Sequence, residues 1–396
     1  MKDILFITDF KNLASTINVN LELVNQLSSN FKNVYFINSG NLQFPKCKKV
    51  EDNLRDIKKL SNNHFINPKN FREFDNFLQN KDVLIISNFG RSLNAIKINF
   101  FLKRRKIKIF QISNLGFFNV APVYDFKLSF FPIIKHFFAV KFFKKFSVLL
   151  SNIGIFPKYE VRFISNKNII DKINKNPLIK KIYKKKLLFS KKIVLINSKS
   201  YDLFKKNTFN ISDDYIIHLD KEFNWPELID FRGEYDQKKL NEYYYFLNRF
   251  LIKLSNDFKK KVIVCIHPGY KLEKFKTYFP KFDVIQFKTA EYIYKAFLVT
   301  MIDSSSIVDA ILLKKKILAL TSDTFGFNEK NYTMNNIQRY GVSHLDIEKD
   351  INRSSESILS LLEDKIPGYD RYIEQNICFD KETSGYKKII KTLKEI

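Results

Sequence analysis

The 396-residue chain combines 45% hydrophobic with 28% charged residues, a balance that can bury two cores of ordinary size and excludes a disordered polymer. With 68 Lys and Arg against 41 Asp and Glu the formal net charge is +27, so the surface attracts polyanions, anionic lipid heads and nucleotide phosphates without choosing among them. Cys47, Cys265 and Cys378 have neither zinc nor disulfide spacing and suit a reducing cytoplasm, and no run reaches the roughly eighteen apolar residues of a spanning helix.

The opening segment MKDILFITDF is read as a first strand and not as a signal peptide, because its apolar run is short and no small-residue cleavage site follows. A helix (ASTINVNLELVNQLSSNF), a strand (NVYFIN), a helix (FREFDNFLQN) and a strand (DVLIIS) come next, the last ending at Asn88-Phe89-Gly90-Arg91. The helix LNAIKINFFLKRRK then leads to IKIFQIS, which ends at Asn114-Leu115-Gly116. This alternation predicts a parallel, doubly wound sheet. Residues 126–165 depart from it: Phe is dense, and Lys135, His136, Lys141, Lys144 and Lys145 do not gather on one side of a helix. Basic stems that snorkel beside aromatic rings suit the surface of an anionic inner membrane, and a connector buried between domains suits the same composition.

The second half repeats the alternation with KKIVLINS, a tyrosine-rich helix (LNEYYYFLNRFLIKLSNDF), KKVIVCIHPG, FDVIQF, AFLVTMIDSSS and KKILALTSD. The expected boundary lies between Tyr183 and Lys192. It gives an N-terminal acceptor domain of residues 1–185 and a C-terminal nucleotide domain of residues 186–396, whose final helix, from about Gly385, packs back toward the first half.

Chemistry concentrates where strands end. KVIVCI runs into His267-Pro268-Gly269, and AFLVTMI runs into Asp303 and the serines Ser304, Ser305 and Ser306. In an open parallel sheet ligands sit outside the carboxyl ends of the strands, so these groups are placed for a nucleotide phosphate. An imidazole at a strand end can stabilise charge on a leaving phosphate, or simply cap the strand. Serines at the start of a helix offer hydroxyls beside free N–H groups, or serve only as caps. Asp309 can hold a ribose hydroxyl or complement the helix dipole. No metal-ligand cluster is evident.

From Tyr215 to Ser322 the chain resembles a family of surface-carbohydrate biosynthesis proteins of capsule and lipopolysaccharide pathways. The matching positions are Leu219-Asp220, Trp225-Pro226-Glu227, Tyr243-Tyr244, His267-Pro268, Lys288-Thr289-Ala290-Glu291, Ser304-Ser305-Ser306 and Lys315-Lys316. Two of them depart from the pattern: Trp225-Pro226-Glu227 stands where the family has histidine-proline-aspartate, and Lys316 where it has proline. The His-Pro and serine motifs are also similar to those of bacterial sialyltransferases, polysialyltransferases and Kdo transferases. The resemblance implies a GT-B glycosyltransferase, with two Rossmann-like α/β domains facing across a cleft and no cofactor or metal. It further implies a donor that is a CMP-linked sugar acid and an acceptor that is a glycan or lipid-linked glycan.

His267, Pro268, Gly269, Thr289, Glu291, Ser304, Ser305, Ser306 and Asp309 are the expected donor-binding residues. An inverting transfer needs a carboxylate base. Asp9 is the first candidate, Asp125 the second, and Asp220 and Glu222 belong to the resembling region. A CDP-polyol phosphotransferase of the teichoic-acid type is the main alternative. A basic nucleic-acid-binding protein is a weaker one, since the chain carries no compact basic-aromatic module.

Overall fold

The computed structural model describes residues 2–8, 21–39, 42, 63–79, 81–87, 93–113, 158–165, 190–206, 212–221, 223, 236–267 and 272–396. They fall into two compact units, one running to Ser198 and taking in Cys378–Ile396, the other spanning Lys199–Ile377. In the first, β1 (Asp3–Thr8), α1 (Leu21–Ser28), β2 (Val34–Asn38), β3 (Asn63–Ile66), α2 (Phe71–Leu78), β4 (Val83–Ser87), α3 (Leu93–Arg104), β5 (Ile109–Ser113), β6 (Tyr159–Ile164) and β7 (Ser190–Leu195) follow in order. All seven strands are parallel, in the order β3-β2-β1-β4-β5-β6-β7.

The second unit holds α4 (Lys199–Lys206), β8 (Tyr215–Leu219), α5 (Gln237–Phe258), β9 (Val262–Ile266), α6 (Leu272–Tyr278), β10 (Asp283–Gln286), α7 (Thr289–Tyr294) and β11 (Ala296–Met301). After these come α8 (Ile307–Leu312), β12 (Lys316–Thr321), α9 (Phe327–Tyr340), β13 (Ser343–Asp346), α10 (Ser355–Glu363) and α11 (Tyr369–Asn376). Its six strands are also parallel, ordered β10-β9-β8-β11-β12-β13. Buried runs such as VIVCI in β9, with every residue inside, are what a sheet covered on both faces requires. The long helix α5 starts at Asp236, whose carboxylate accepts from the Lys238 N–H at 2.6 Å, and ends at Lys259 in the left-handed conformation. Its buried stripe of Leu240, Tyr243, Tyr244, Leu247, Phe250, Leu251 and Leu254 follows the helical repeat.

The two-domain parallel architecture is as expected, but its partition is not. KKIVLINS does not open the second half: it is β7, the seventh strand of the first sheet, paired with β6 and tied to it by the Lys191–Glu160 ion pair at 2.7 Å. Nor is the basic-aromatic segment uniform, since its last residues form β6, with Tyr159, Val161, Phe163 and Ile164 buried. Residues 126–157 lie outside the described residues. The final helix α12 (Gly385–Lys394) belongs to the first unit. Tyr386, Ile389, Ile390 and Leu393 share a core with Ile4, Phe6, Leu27 and Phe36.

Candidate functional site

In the second sheet the strand order reverses at β8, which has β9 on one side and β11 on the other. The crevice outside the carboxyl ends of those strands is where an open α/β sheet receives a ligand. Lys221 follows β8 and Asp303 follows β11. Their side chains meet, with Nζ 3.6 Å from Oδ2, and both are largely buried. Asn336 of α9 donates to the other Asp303 oxygen at 3.3 Å. The Asp303 carboxylate thereby anchors the loop carrying Ser304, Ser305 and Ser306.

Within that loop the serines divide their work. Ser304 Oγ accepts from the N–H of Ser306, the N-cap residue of the short helix α8, at 3.3 Å, while Ser305 is exposed. Exposed His267 follows β9 on the same edge, and its carbonyl accepts from Gln286 Nε2 of β10 at 3.3 Å. β9 and β11 flank β8, which puts the histidine and serine loops about 10 Å apart. Pro268 and Gly269 lie outside the described residues.

One residue at this edge was not singled out from sequence. Phe287, directly after β10, is 61% exposed and holds φ at 66°. Among the described residues three other non-glycine residues have positive φ, Lys106, Lys259 and Lys314, and each closes the end of a helix. Phe287 closes none. Its loop is pinned instead by Thr289, whose hydroxyl donates to the Phe287 carbonyl at 3.1 Å and lies 3.0 Å from Cys265 Sγ. Burial pushes that thiol up, so it stays a donor. Backbone strain at an exposed aromatic, held in place by neighbours, makes Phe287 a candidate for ligand contact. The sequence signal was weak: a single Phe among 41, beside a Lys-Thr dipeptide.

Several expected site residues serve the fold. The Thr289 hydroxyl is committed to the turn just described, and Glu291 is exposed beside Lys288 at 3.8 Å. Asp309 does not face the crevice. It lies in α8 against α4, where Ser200 donates to it and Lys199 is close. Burial, opposed by those two groups, pushes its carboxyl up to about 6. Asp220 is not placed as a base: its side chain is 0% exposed, receives the Tyr244 hydroxyl at 3.2 Å and lies beside His218. Asp9, Asp125, Glu222, Trp225-Pro226-Glu227, Asn88-Phe89-Gly90-Arg91 and Asn114-Leu115-Gly116 lie outside the described residues.

Farther along the same edge the ends of β12 and β13 close on themselves. Lys330 bridges Asp323 and Asp346, each at 2.6 Å, Lys349 pairs with Asp323, and the Ser322 and Thr324 hydroxyls are held by Glu348. The strand ends not closed in this way are those of β10, β9, β8 and β11, which carry an aromatic ring, an imidazole, a lysine paired with Asp303, and serine hydroxyls. Among the described residues no group of three His, Cys, Asp or Glu side chains could hold a metal ion, and no helix is long and apolar enough to cross a membrane.

No family model and no curated protein matches the chain. Solved structures do. The spinosyn rhamnosyltransferase SpnG, complexed with spinosyn aglycone, is similar with a TM-score of 0.54 at 9% identity, over 100% of both chains. The wall teichoic acid polymerase TagF gives 0.53 at 10% identity, over 100% of this chain and 89% of that one. The UDP-GlcNAc 2-epimerase from Methanocaldococcus jannaschii gives 0.50 at 12% identity, over 100% of both. At such identities the likeness is one of fold: two parallel-sheet α/β domains of the GT-B kind.

Proposed function

We propose that this chain is a GT-B glycosyltransferase that takes its sugar from a nucleotide-linked donor and binds the nucleotide at the carboxyl edge of the second sheet. What supports this reading is that Phe287, His267, Lys221 and the Asp303-anchored serines directly follow the neighbouring strands β10, β9, β8 and β11, where the strand order reverses. Each group has a task in such a donor. The Phe287 face stacks on the base, a contact worth roughly 1–3 kcal/mol by analogy with aromatic platforms for bases. Lys221, the exposed Ser305 and the His267 imidazole receive the phosphate. As the bond from sugar to phosphate breaks, charge grows on the phosphate oxygens and these donors gain strength, which is where rate is won.

Within this reading the donor is a CMP-linked sugar acid and the product a capsular or lipopolysaccharide glycan, as the His-Pro and serine motifs imply. The base is Asp9, acting on the acceptor hydroxyl. Transfer from CDP-polyol is the second reading, favoured by the likeness to TagF. The protein acts in the cytoplasm on a glycan or lipid-linked acceptor, with residues 126–157 a candidate contact to the inner membrane.

A thermal-shift panel of CMP, CDP, UDP, GDP and their sugars tests the assignment. A nucleotide at a hundred times its dissociation constant adds about 2.7 kcal/mol of stability, which such a scan resolves easily. Selective stabilisation by cytidine nucleotides is expected. A response to UDP or GDP alone would overturn the CMP donor, and no response to any nucleotide would overturn the transferase.

A further inference from the structure

The closed ends of β12 and β13 also support an aromatic stack that reaches back to β8. The turn between β12 and α9 is closed by the Gly326 N–H, which donates to the Asp323 carbonyl at 2.9 Å, and Gly326 holds φ at 83°, a value that favours glycine. Glu348 pins this turn by accepting from the Ser322 and Thr324 hydroxyls, while the Thr324 N–H donates to Ser322 Oγ at 3.1 Å. The turn delivers Phe325. Its ring stacks on Phe223 with centroids 4.0 Å apart and tilts against Tyr243 of α5 at 5.0 Å, and Phe223 meets Tyr243 edge-on at 4.8 Å.

Packing alone would account for three rings, but one ring face is turned to a charge. Lys221, two residues before Phe223, places Nζ over the Phe223 ring, 5.7 Å from its centroid. Phe325 covers one face of that ring, so the ammonium has the other. The same ammonium lies 3.6 Å from Asp303 Oδ2, and the lysine side chain is only 11% exposed. A charge largely removed from water has to be compensated, and at 3.6 Å the carboxylate supplies Coulomb attraction without a hydrogen bond. The ring face adds attraction of a second kind, because it holds positive charge and takes up none of the N–H donors. Lysine carries its charge on a flexible stem, so without such support the ammonium has no fixed aim.

We propose that Phe223 is the positioning residue for Lys221, with Phe325 holding the ring. The stack fixes the ammonium at the end of β8 and spends none of its donors, which are kept for the phosphate of the nucleotide. The proposal rests on the donor reading for what Lys221 receives. It also gives the closed ends of β12 and β13 a task, since Glu348, through the turn and Phe325, sets the place of Phe223.

Fluorination of Phe223 separates charge from packing. Each fluorine drains negative charge from the ring face with little change of shape, so phenylalanines carrying one, two and three fluorines are introduced at this position alone. CMP, CDP, UDP and GDP affinities are then measured by calorimetry beside denaturant melts. Affinity for the nucleotide that binds should fall stepwise with the number of fluorines, by about five-fold or more at three, while the melts move little. In a Lys221→Met chain, which keeps the stem and lacks the charge, the same series should leave affinity flat. A flat series beside the native lysine, or one equally steep without it, would overturn the positioning role. Phe325→Leu should weaken binding about three-fold or more, and normal affinity there would overturn the part given to Phe325. NMR of the lysine ε-methylenes should show one signal shifted upfield by a ring, lost in Lys221→Arg and returned to its ordinary place in Phe223→Leu. An unshifted Lys221 methylene in wild type would overturn the contact without reference to any nucleotide. If wild type binds none of the four nucleotides, the donor reading fails and the positioning role with it, while the NMR result still decides the contact.

Discussion

Phe287 shows what a backbone angle reveals that a residue type conceals. A left-handed conformation costs a residue with a bulky side chain about 1–2 kcal/mol, and at Phe287 it closes no helix. Asn tolerates that conformation. Phe287→Asn should therefore leave stability unchanged or raise it by up to about 1 kcal/mol, while nucleotide affinity falls roughly ten-fold through loss of stacking. Denaturant melts and calorimetry on the same preparation separate the two effects, and a destabilised variant with normal affinity would make Phe287 a packing residue. For His267→Ala a fall in turnover of about a hundred-fold is expected. Asp309 gives a different signal. Its carboxyl, pushed up to about 6, binds its proton more tightly folded than unfolded, so the stability it contributes is complete below about pH 4 and is lost as pH rises through 6. The advantage of Asp309→Asn over wild type should grow between about pH 4 and pH 8 by on the order of 2 kcal/mol. A constant difference across that range would show that the carboxyl titrates normally. The places of His267 and the serines just past strand ends were legible in the sequence because polar residues stand directly after apolar runs. The burial of Asp220 and the inward turn of Asp309 were not, because both depend on partners distant in sequence, Tyr244 and Ser200.

The strands that escaped sequence reading are those whose neighbours blur the pattern. β6 alternates buried Tyr159, Val161 and Phe163 with Glu160 and Arg162, so it reads as one more mixture of aromatic and basic residues. β3 and β13 have four residues each, too few to show a period. β7 begins with exposed Lys191 and Lys192 because it is an edge strand of the first sheet, and the expected boundary between Tyr183 and Lys192 fell at its start. One side chain ties the start of the C-terminal segment to this unit by four hydrogen bonds. Asn197, just past β7, donates to the carbonyls of Asp380 at 2.6 Å and Thr383 at 3.2 Å, and accepts from the N–H groups of Phe379 at 2.8 Å and Asp380 at 3.1 Å. Beyond it α12 buries four apolar side chains, each worth about 1.5–3 kcal/mol. Their sum is comparable to the whole stability of an ordinary domain. Deleting residues 379–396 should thus unfold the first unit, and Asn197→Ala, which leaves four part-buried backbone groups without this partner, should lower stability by about 2 kcal/mol. Limited proteolysis with mass mapping would register the deletion as cleavage within β1 to β7. A truncated chain as resistant as the full one would show that α12 is dispensable.

At the scale of the whole molecule the two readings of the reaction share one leaving group, and this sharpens the test between them. In transfer from a CMP-linked sugar acid, the bond from the anomeric carbon to the phosphate oxygen breaks, and CMP departs with its phosphate. In transfer from a CDP-polyol, an acceptor oxygen attacks the outer phosphorus, the pyrophosphate bond breaks, and CMP again departs. Both reactions ask the second sheet to hold CMP, so cytidine selectivity alone cannot separate them, whereas the acceptor records the difference. The polyol reaction adds a phosphodiester and the sugar-acid reaction adds no phosphorus. Incubating the protein with a CMP-sugar acid or a CDP-polyol and a short glycan acceptor, then recording phosphorus-31 spectra of the separated product, decides between them. The sugar-acid reading predicts an acceptor heavier by one sugar residue and silent in phosphorus. A new phosphodiester resonance on the acceptor would instead place the reaction with the likeness to TagF. Both donors are anionic and the chain carries +27, so productive encounter with either should slow as salt is raised. The discrimination must therefore come from the atom attacked, which only the product reports.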